Sequence, residues 1–200
     1  MLPSRLPGQR AGLTRDRVLA AARDVLAERG LEALTMRVLA ERLDVSPNAL
    51  YSHVESKTAL VDDLLDEVLA AVEAPSDDAP DPIAGVHALM ASTYRVLLTH
   101  ADLVPLYLAR QGARGPNAHH LGDVMLALLR RAGTTEPRAR EALHVLIVYT
   151  IGSAAFTTRS PLATGETSTP ASEDHAAHFD RGLRWILTGL TLPPDDARPA

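Results

Sequence analysis

The chain has 200 residues, 46% of them apolar, a formal charge of −5 and no cysteine. That length fits one small and one medium domain, with enough apolar side chains for real cores. Disulfides and thiolate zinc sites are excluded. No uninterrupted apolar run approaches the ~20 residues of a membrane span, and the opening MLPSRLPGQRAG is too polar for a secretory signal. A cytoplasmic protein that makes no use of a membrane is expected. Charge is uneven: residues 1–57 carry nine basic and seven acidic side chains, a net of +2, and the remainder carries a net of −7. A modestly basic head on an acidic body suits a protein that binds nucleic acid without adhering to it everywhere.

In chain order, Thr14 predicts a helix N-cap. Val18, Leu19, Ala22, Val25 and Leu26 then recur at helical spacing, and Gly30 offers a left-handed stop. Thr35 caps a second helix with Met36, Leu39 and Leu43 as its stripe. Asp44-Val45-Ser46 interrupts it, with Val45 as the apolar plug of the turn. Ser46 is a cap, and Pro47 stands at the first helical position, where its missing N–H costs nothing. The helix expected over 47–54 turns Leu50 and Val54 inward and spreads Asn48, Ala49, Tyr51, Ser52 and His53 over the rest of its surface. Ser56 caps a further helix to about Val72. Two short helices, a tight turn and a following helix make a helix-turn-helix, which places one helix in the major groove of DNA.

Beyond it, the Pro- and Asp-rich stretch 73–82 reads as a linker ending in an Asp81-Pro82 helix start. Helices are expected over 83–99, 101–110 with a bend at Pro105, 117–131, 136–159 and 173–190. A polar loop over 160–172 and the tail TLPPDDARPA complete the chain. There is no internal repeat and no convincing strand. The fold expected is all-α: a helix-turn-helix head over 1–56 and a helical domain over 57–200.

The run ARDVLAERGLEALTMRVLAERLDVSPNALYSHVESKTALVDDLL resembles the tetracycline-repressor (TetR) family of bacterial transcription regulators. The order helix, ERG, apolar-Thr, LAERL-V, LY-H-V, K-AL carries the resemblance over the first third of the chain. It implies a DNA-binding head, a helical ligand-binding and dimerisation domain, homodimers, and release from DNA when a small ligand binds. Asn48 stands where the family often has Gly, and Ala49 where a Thr often contacts DNA, so the operator sequence is this chain's own.

The expected DNA contacts are Thr35, Arg37, Pro47, Asn48, Ala49, Tyr51, Ser52, His53 and Lys57. Asn48 has the donor and acceptor that pair with adenine. In the family the residue matching Tyr51 contacts a phosphate. Lys57, the only lysine in the chain, opens a helix whose free N–H groups favour phosphate. Arg5, Arg10 and Arg15 are further candidates for the DNA backbone. In the second domain, Met90, Tyr94, Leu97, Leu103, Tyr107, Met125, Leu129, Tyr149 and Phe156 are expected to line a ligand pocket, the plain alternative for each being core. Phe179, Leu183, Ile186, Leu187 and Leu190 are expected to form a seam between two copies, with Gly182 allowing close approach; an intramolecular core is the alternative.

His175 and His178 have zinc-ligand spacing beside Glu173 and Asp174, but a solvated helix start explains them as well, so neither metal nor cofactor is expected. The tetracycline repressor's histidine-anchored magnesium–drug site has no clear equivalent near 62–73, which points away from tetracycline. The chain lacks a Gly-x-Ser-x-Gly elbow, a P-loop, a dinucleotide glycine motif and an HExxH helix, so no enzyme is expected. The function expected is a homodimeric repressor released from a palindromic double-stranded operator by a small-molecule effector. A ligand-independent architectural or activating DNA-binding protein is the alternative.

Overall fold

The computed structural model describes residues 12–76, 78–158 and 172–191. Among them all regular structure is helical, in the order expected. The chain divides between Val61 and Asp62 into two units, a few residues beyond the boundary drawn from the sequence.

The first unit begins with α1 (Arg15–Arg29). Thr14 caps it by accepting from the Arg17 N–H, and Gly30 at φ 74° ends it. After a 3₁₀ turn at Leu31–Ala33, α2 (Met36–Leu43) starts on the Thr35 hydroxyl and stops at Asp44 in the left-handed region. Then α3 (Pro47–Tyr51) starts on Ser46 with proline in its first turn. It is shorter than the sequence suggested: the N–H groups of His53 and Val54 both donate to the Leu50 carbonyl, which tightens and closes the helix. Val18, Ala22, Val25, Leu34, Leu39, Leu50 and Leu60 form the buried core. On the outside, the Arg42 guanidinium makes two hydrogen bonds to Glu28, at 2.6 and 2.7 Å, and one to Asp24, tying α2 to α1. That contact holds the Glu28 carboxyl below its ordinary pKa.

The next helix, α4 (Lys57–Leu69), passes through the boundary. The second unit continues with α5 (Pro82–Thr99), capped by the Asp81 carboxylate. It is followed by α6 (Val104–Arg110), α7 (Pro116–Arg131), α8 (Glu136–Thr158) and α9 (Ser172–Thr191). Pro105, expected to bend a longer helix, lies instead in the first turn of α6, where its missing N–H needs no partner. The central helix α8 packs on α5, α6, α7 and α9. By length and composition alone it is apolar enough to cross a membrane; here its inner face, with Ala139, Ala142, Leu146 and Ala154, lies in the core.

Three polar contacts hold the second half of α4 to its neighbours. Asp62 takes a two-pronged ion pair from Arg110 at 2.7 and 2.8 Å. The buried Tyr107 hydroxyl donates to the Leu65 carbonyl at 2.5 Å. The Asp66 carboxylate, also buried, accepts from the backbone N–H groups of Asn117 and Ala118 at 3.1 and 2.8 Å and from the Asn117 side-chain amide. Asp66 is thus the N-cap of α7, supplied from another helix, because Gly115 has no side chain to cap with. Any Cβ at Gly115 would collide with that carboxylate. Losing a cap and leaving buried donors unmet should together cost about 2–4 kcal/mol. Asp66→Ala and Gly115→Ala should each lower the melting temperature by roughly 5–15 °C, followed by circular dichroism. A shift below about 2 °C in both variants contradicts this account of α7.

Candidate functional site

The first unit presents one polar face built from the start of α2, from α3 and from the start of α4. Thr35 is exposed, but its hydroxyl is engaged as the α2 cap, accepting from the Val38 N–H at 3.1 Å. The Arg37 side chain is 86% exposed and pairs loosely with Glu41. Ser52 is also exposed and donates its hydroxyl to the Ala49 carbonyl at 2.7 Å. Pro47, Asn48 and Lys57 are exposed, Tyr51 is 51% exposed, and Ala49 and His53 are half-buried. The side chains of Asn48, Tyr51 and Lys57 make no hydrogen bond or ion pair within the described residues. An amide, a phenol and an ammonium therefore stand free on one short helix and the next helix's first residue. These groups suit base edges and phosphates. Arg5 and Arg10 lie outside the described residues.

The second unit contains a cavity of about 130 Å³. Four of the nine residues expected around a pocket line it: Met90, Leu97, Tyr107 and Met125. The sequence reading missed Thr93, Gln111, Leu121, Leu143, Ile147 and Thr150. The positions 143, 147 and 150 follow helical spacing on α8, so periodicity held that signal. Thr93 and Thr150 satisfy their hydroxyls locally, on the Leu89 carbonyl and the Met90 sulfur. Burial first, and the Asp66 charge second, push the Tyr107 phenol well above its ordinary pKa, so it stays neutral. Among the described residues no charged side chain lines the cavity.

The other five expected lining residues lie elsewhere. Leu103 and Leu129 are fully enclosed in the core. Tyr94 and Tyr149 both stack on Phe179, with their ring centres 4.0 and 5.3 Å from its own. The Tyr94 hydroxyl bonds to Thr157, and that of Tyr149 donates to the Phe179 carbonyl. Phe156 is 80% exposed.

The expected seam divides in the same way. Phe179, Leu183 and Leu187 are buried in their own unit and so lie on the inner side of α9. The Tyr149 hydroxyl of α8 lies against Gly182, where a Cβ would collide with it. Ile186 and Leu190 are half-buried. The exposed apolar side chains of these two helices are Val145, Val148, Phe156 and Trp185, with Gly152 open between the first three. Among the described residues no group of three or more metal-ligating side chains comes together; the side chains of Glu173 and Asp174 lie outside the described ones.

Residues 18–64 match the family description "Bacterial regulatory proteins, tetR family", and residues 74–168 match "Tetracyclin repressor-like, C-terminal domain". A helix-turn-helix transcriptional regulator of Saccharopolyspora erythraea is 33% identical over 89% of this chain and 84% of its own. The class D tetracycline repressor protein of Escherichia coli is 45% identical, with 91% of each chain covered. Among solved structures, the TetR family protein ActR of Streptomyces coelicolor, in complex with actinorhodin, is similar with a TM-score of 0.73 and 28% identity. That match covers 90% of this chain and 97% of ActR. Helix-turn-helix, helical second unit and relatives agree: the chain belongs to the TetR family of bacterial DNA-binding transcriptional regulators.

Proposed function

We propose that the chain is a homodimeric repressor that binds a palindromic operator and is released when a small molecule fills the cavity of the second unit. One observation carries the release step. Tyr107 lines the cavity and, through its hydroxyl, holds the Leu65 carbonyl of α4. A ligand that moves Tyr107 must therefore disturb α4, the helix that begins at Lys57. By linkage, a ligand preferring the DNA-incompetent arrangement weakens DNA binding by the factor by which DNA weakens ligand binding. ActR, solved with a small molecule bound, supports a ligand-responsive reading by similarity.

On the DNA side, Lys57 and Tyr51 act on phosphates and Asn48 on a base edge. Lys57→Ala should weaken binding to every duplex alike and reduce the slope of log affinity against log salt by about one. Asn48→Ala should change base preference and leave the salt slope alone. Fluorescence anisotropy at a series of salt concentrations distinguishes them; an unchanged slope for Lys57→Ala removes that residue from the phosphate contacts.

Two copies join through the outward faces of α8 and α9. Val145, Val148 and Phe156 are exposed on α8 and Trp185 is exposed on α9, and exposed apolar side chains of this size suit a protein interface. Val148→Asp or Trp185→Asp would bury a charge without a partner, at a cost of several kcal/mol. Light scattering should find dimers for the native chain and monomers for both variants. Dimeric variants with unchanged dissociation place the interface elsewhere.

Met125, fully buried in the cavity wall, tests the effector site. Met125→Trp should fill the space, leaving operator binding intact and abolishing release by any effector that thermal-shift screening yields. Release that survives the substitution moves the effector out of this cavity.

A further inference from the structure

On the reading that this cavity is the effector site, we propose that its effector is an uncharged, compact molecule with an apolar body and one hydrogen-bonding group. We assign the recognition of that group to Gln111 at the cavity edge. The argument begins with charge. Among the described residues sixteen line the space and none carries a charged side chain. An ionised ligand would lose its water and gain no counter-charge, which excludes it from so apolar a wall. Size is the next limit. About 130 Å³ is close to the roughly 150 Å³ apolar cavities that take benzene, so one ring with a short substituent fits the space as it stands.

Polarity then singles out Gln111. The Tyr107, Thr93 and Thr150 hydroxyls all donate inside the protein, which leaves Gln111 as the lining side chain with a free N–H donor. The Gln111 side-chain amide has no partner among the described residues, although its backbone N–H is satisfied by Leu108. Its backbone is the second independent sign. Gln111 ends α6 in the left-handed region at φ 56°, and Gly112 follows at φ 101°. Glycine or asparagine takes such a helix end with least strain. Among the described residues only Asp44 and Gln111 are non-glycine residues with positive φ. Gln111 is exposed, so its amide stands in water at the mouth of the cavity, in a strained position, where an entering ligand can replace that water. The amide N–H donates to a carbonyl-type acceptor, which makes a carbonyl the ligand's expected polar group.

The test uses the full chain and three fluorinated probes followed by ¹⁹F NMR: fluorobenzene, 4-fluoroacetophenone and 4-fluorobenzoate. The ketone and the carboxylate have nearly the same shape and differ in charge. Fluorobenzene and the ketone should bind, and Met125→Trp should block both. The ketone should bind about fivefold more tightly than fluorobenzene, the gain of one hydrogen bond. The carboxylate should bind at least about tenfold more weakly than the ketone. Gln111→Gly relieves the strained backbone, so its melting temperature should hold or rise. It should erase the ketone's advantage and leave fluorobenzene unaffected. A carboxylate that binds as well as the ketone overturns the neutral class, and a ketone preference that survives Gln111→Gly overturns the role of Gln111; both leave the cavity as effector site. If no probe binds in a manner sensitive to Met125→Trp, the effector-site reading fails and this inference with it.

Discussion

The second unit depends on one buried carboxylate. Asp66 extends from α4 to the first turn of α7 and satisfies two backbone N–H groups and one side-chain amide there. Its negative charge also faces the positive end of the α7 dipole. Gly115 leaves the room that this carboxylate occupies. With the Asp62–Arg110 pair and the Tyr107–Leu65 bond, α4 is fixed to α6 and α7 by groups with exacting geometry. Apolar packing alone would tolerate sliding; directional bonds to buried partners do not. A helix held in this way has a defined rest position, and a defined rest position is what a switch requires. Tyr107, Gly112, Ala113 and Ala118 line the cavity from the same elements that make these contacts, so filling the space and holding α4 draw on common parts.

The two long helices α8 and α9 divide their apolar surface between two tasks. Their inner faces enclose Leu146, Ala154, Phe179, Leu183 and Leu187, and the Tyr94–Phe179–Tyr149 stack joins α5, α8 and α9. Offset aromatic stacks of this kind add about 0.5–1.5 kcal/mol beyond their buried area. What remains outside includes Val145, Val148, Phe156 and Trp185, which are apolar as well.

Local signals made the head legible. Thr14, Thr35 and Ser46 are caps that accept from N–H groups three residues on, and such contacts are visible in a run of residues. In the second unit, the extents of α5, α7 and α8 were readable from periodicity and from the Asp81-Pro82 start. Which side of a helix faces what was not. Phe179, Leu183 and Leu187 follow one stripe of α9 and Trp185 lies off it; both are apolar, and only tertiary packing decides which is inside. Aromatics with a polar handle suit a pocket, yet Tyr94 and Tyr149 spend their hydroxyls on Thr157 and the Phe179 carbonyl within the protein. Asp66 gave no warning, since a cap supplied from 49 residues upstream of Gly115 has no sequence pattern. Gln111 was missed because the helix expected over 101–110 ends just before it, and no spacing signals that a residue past a helix end lines a cavity.

The central claim is that paired α3 helices read DNA at two positions related by symmetry. Selection of bound sequences from random double-stranded DNA by the full chain tests it most directly. The account predicts enrichment of an inverted repeat whose half-sites lie about one helical turn, roughly 34–36 Å, apart or a multiple of it. Bound pools with no enriched motif, or with a single unrepeated half-site, would contradict it.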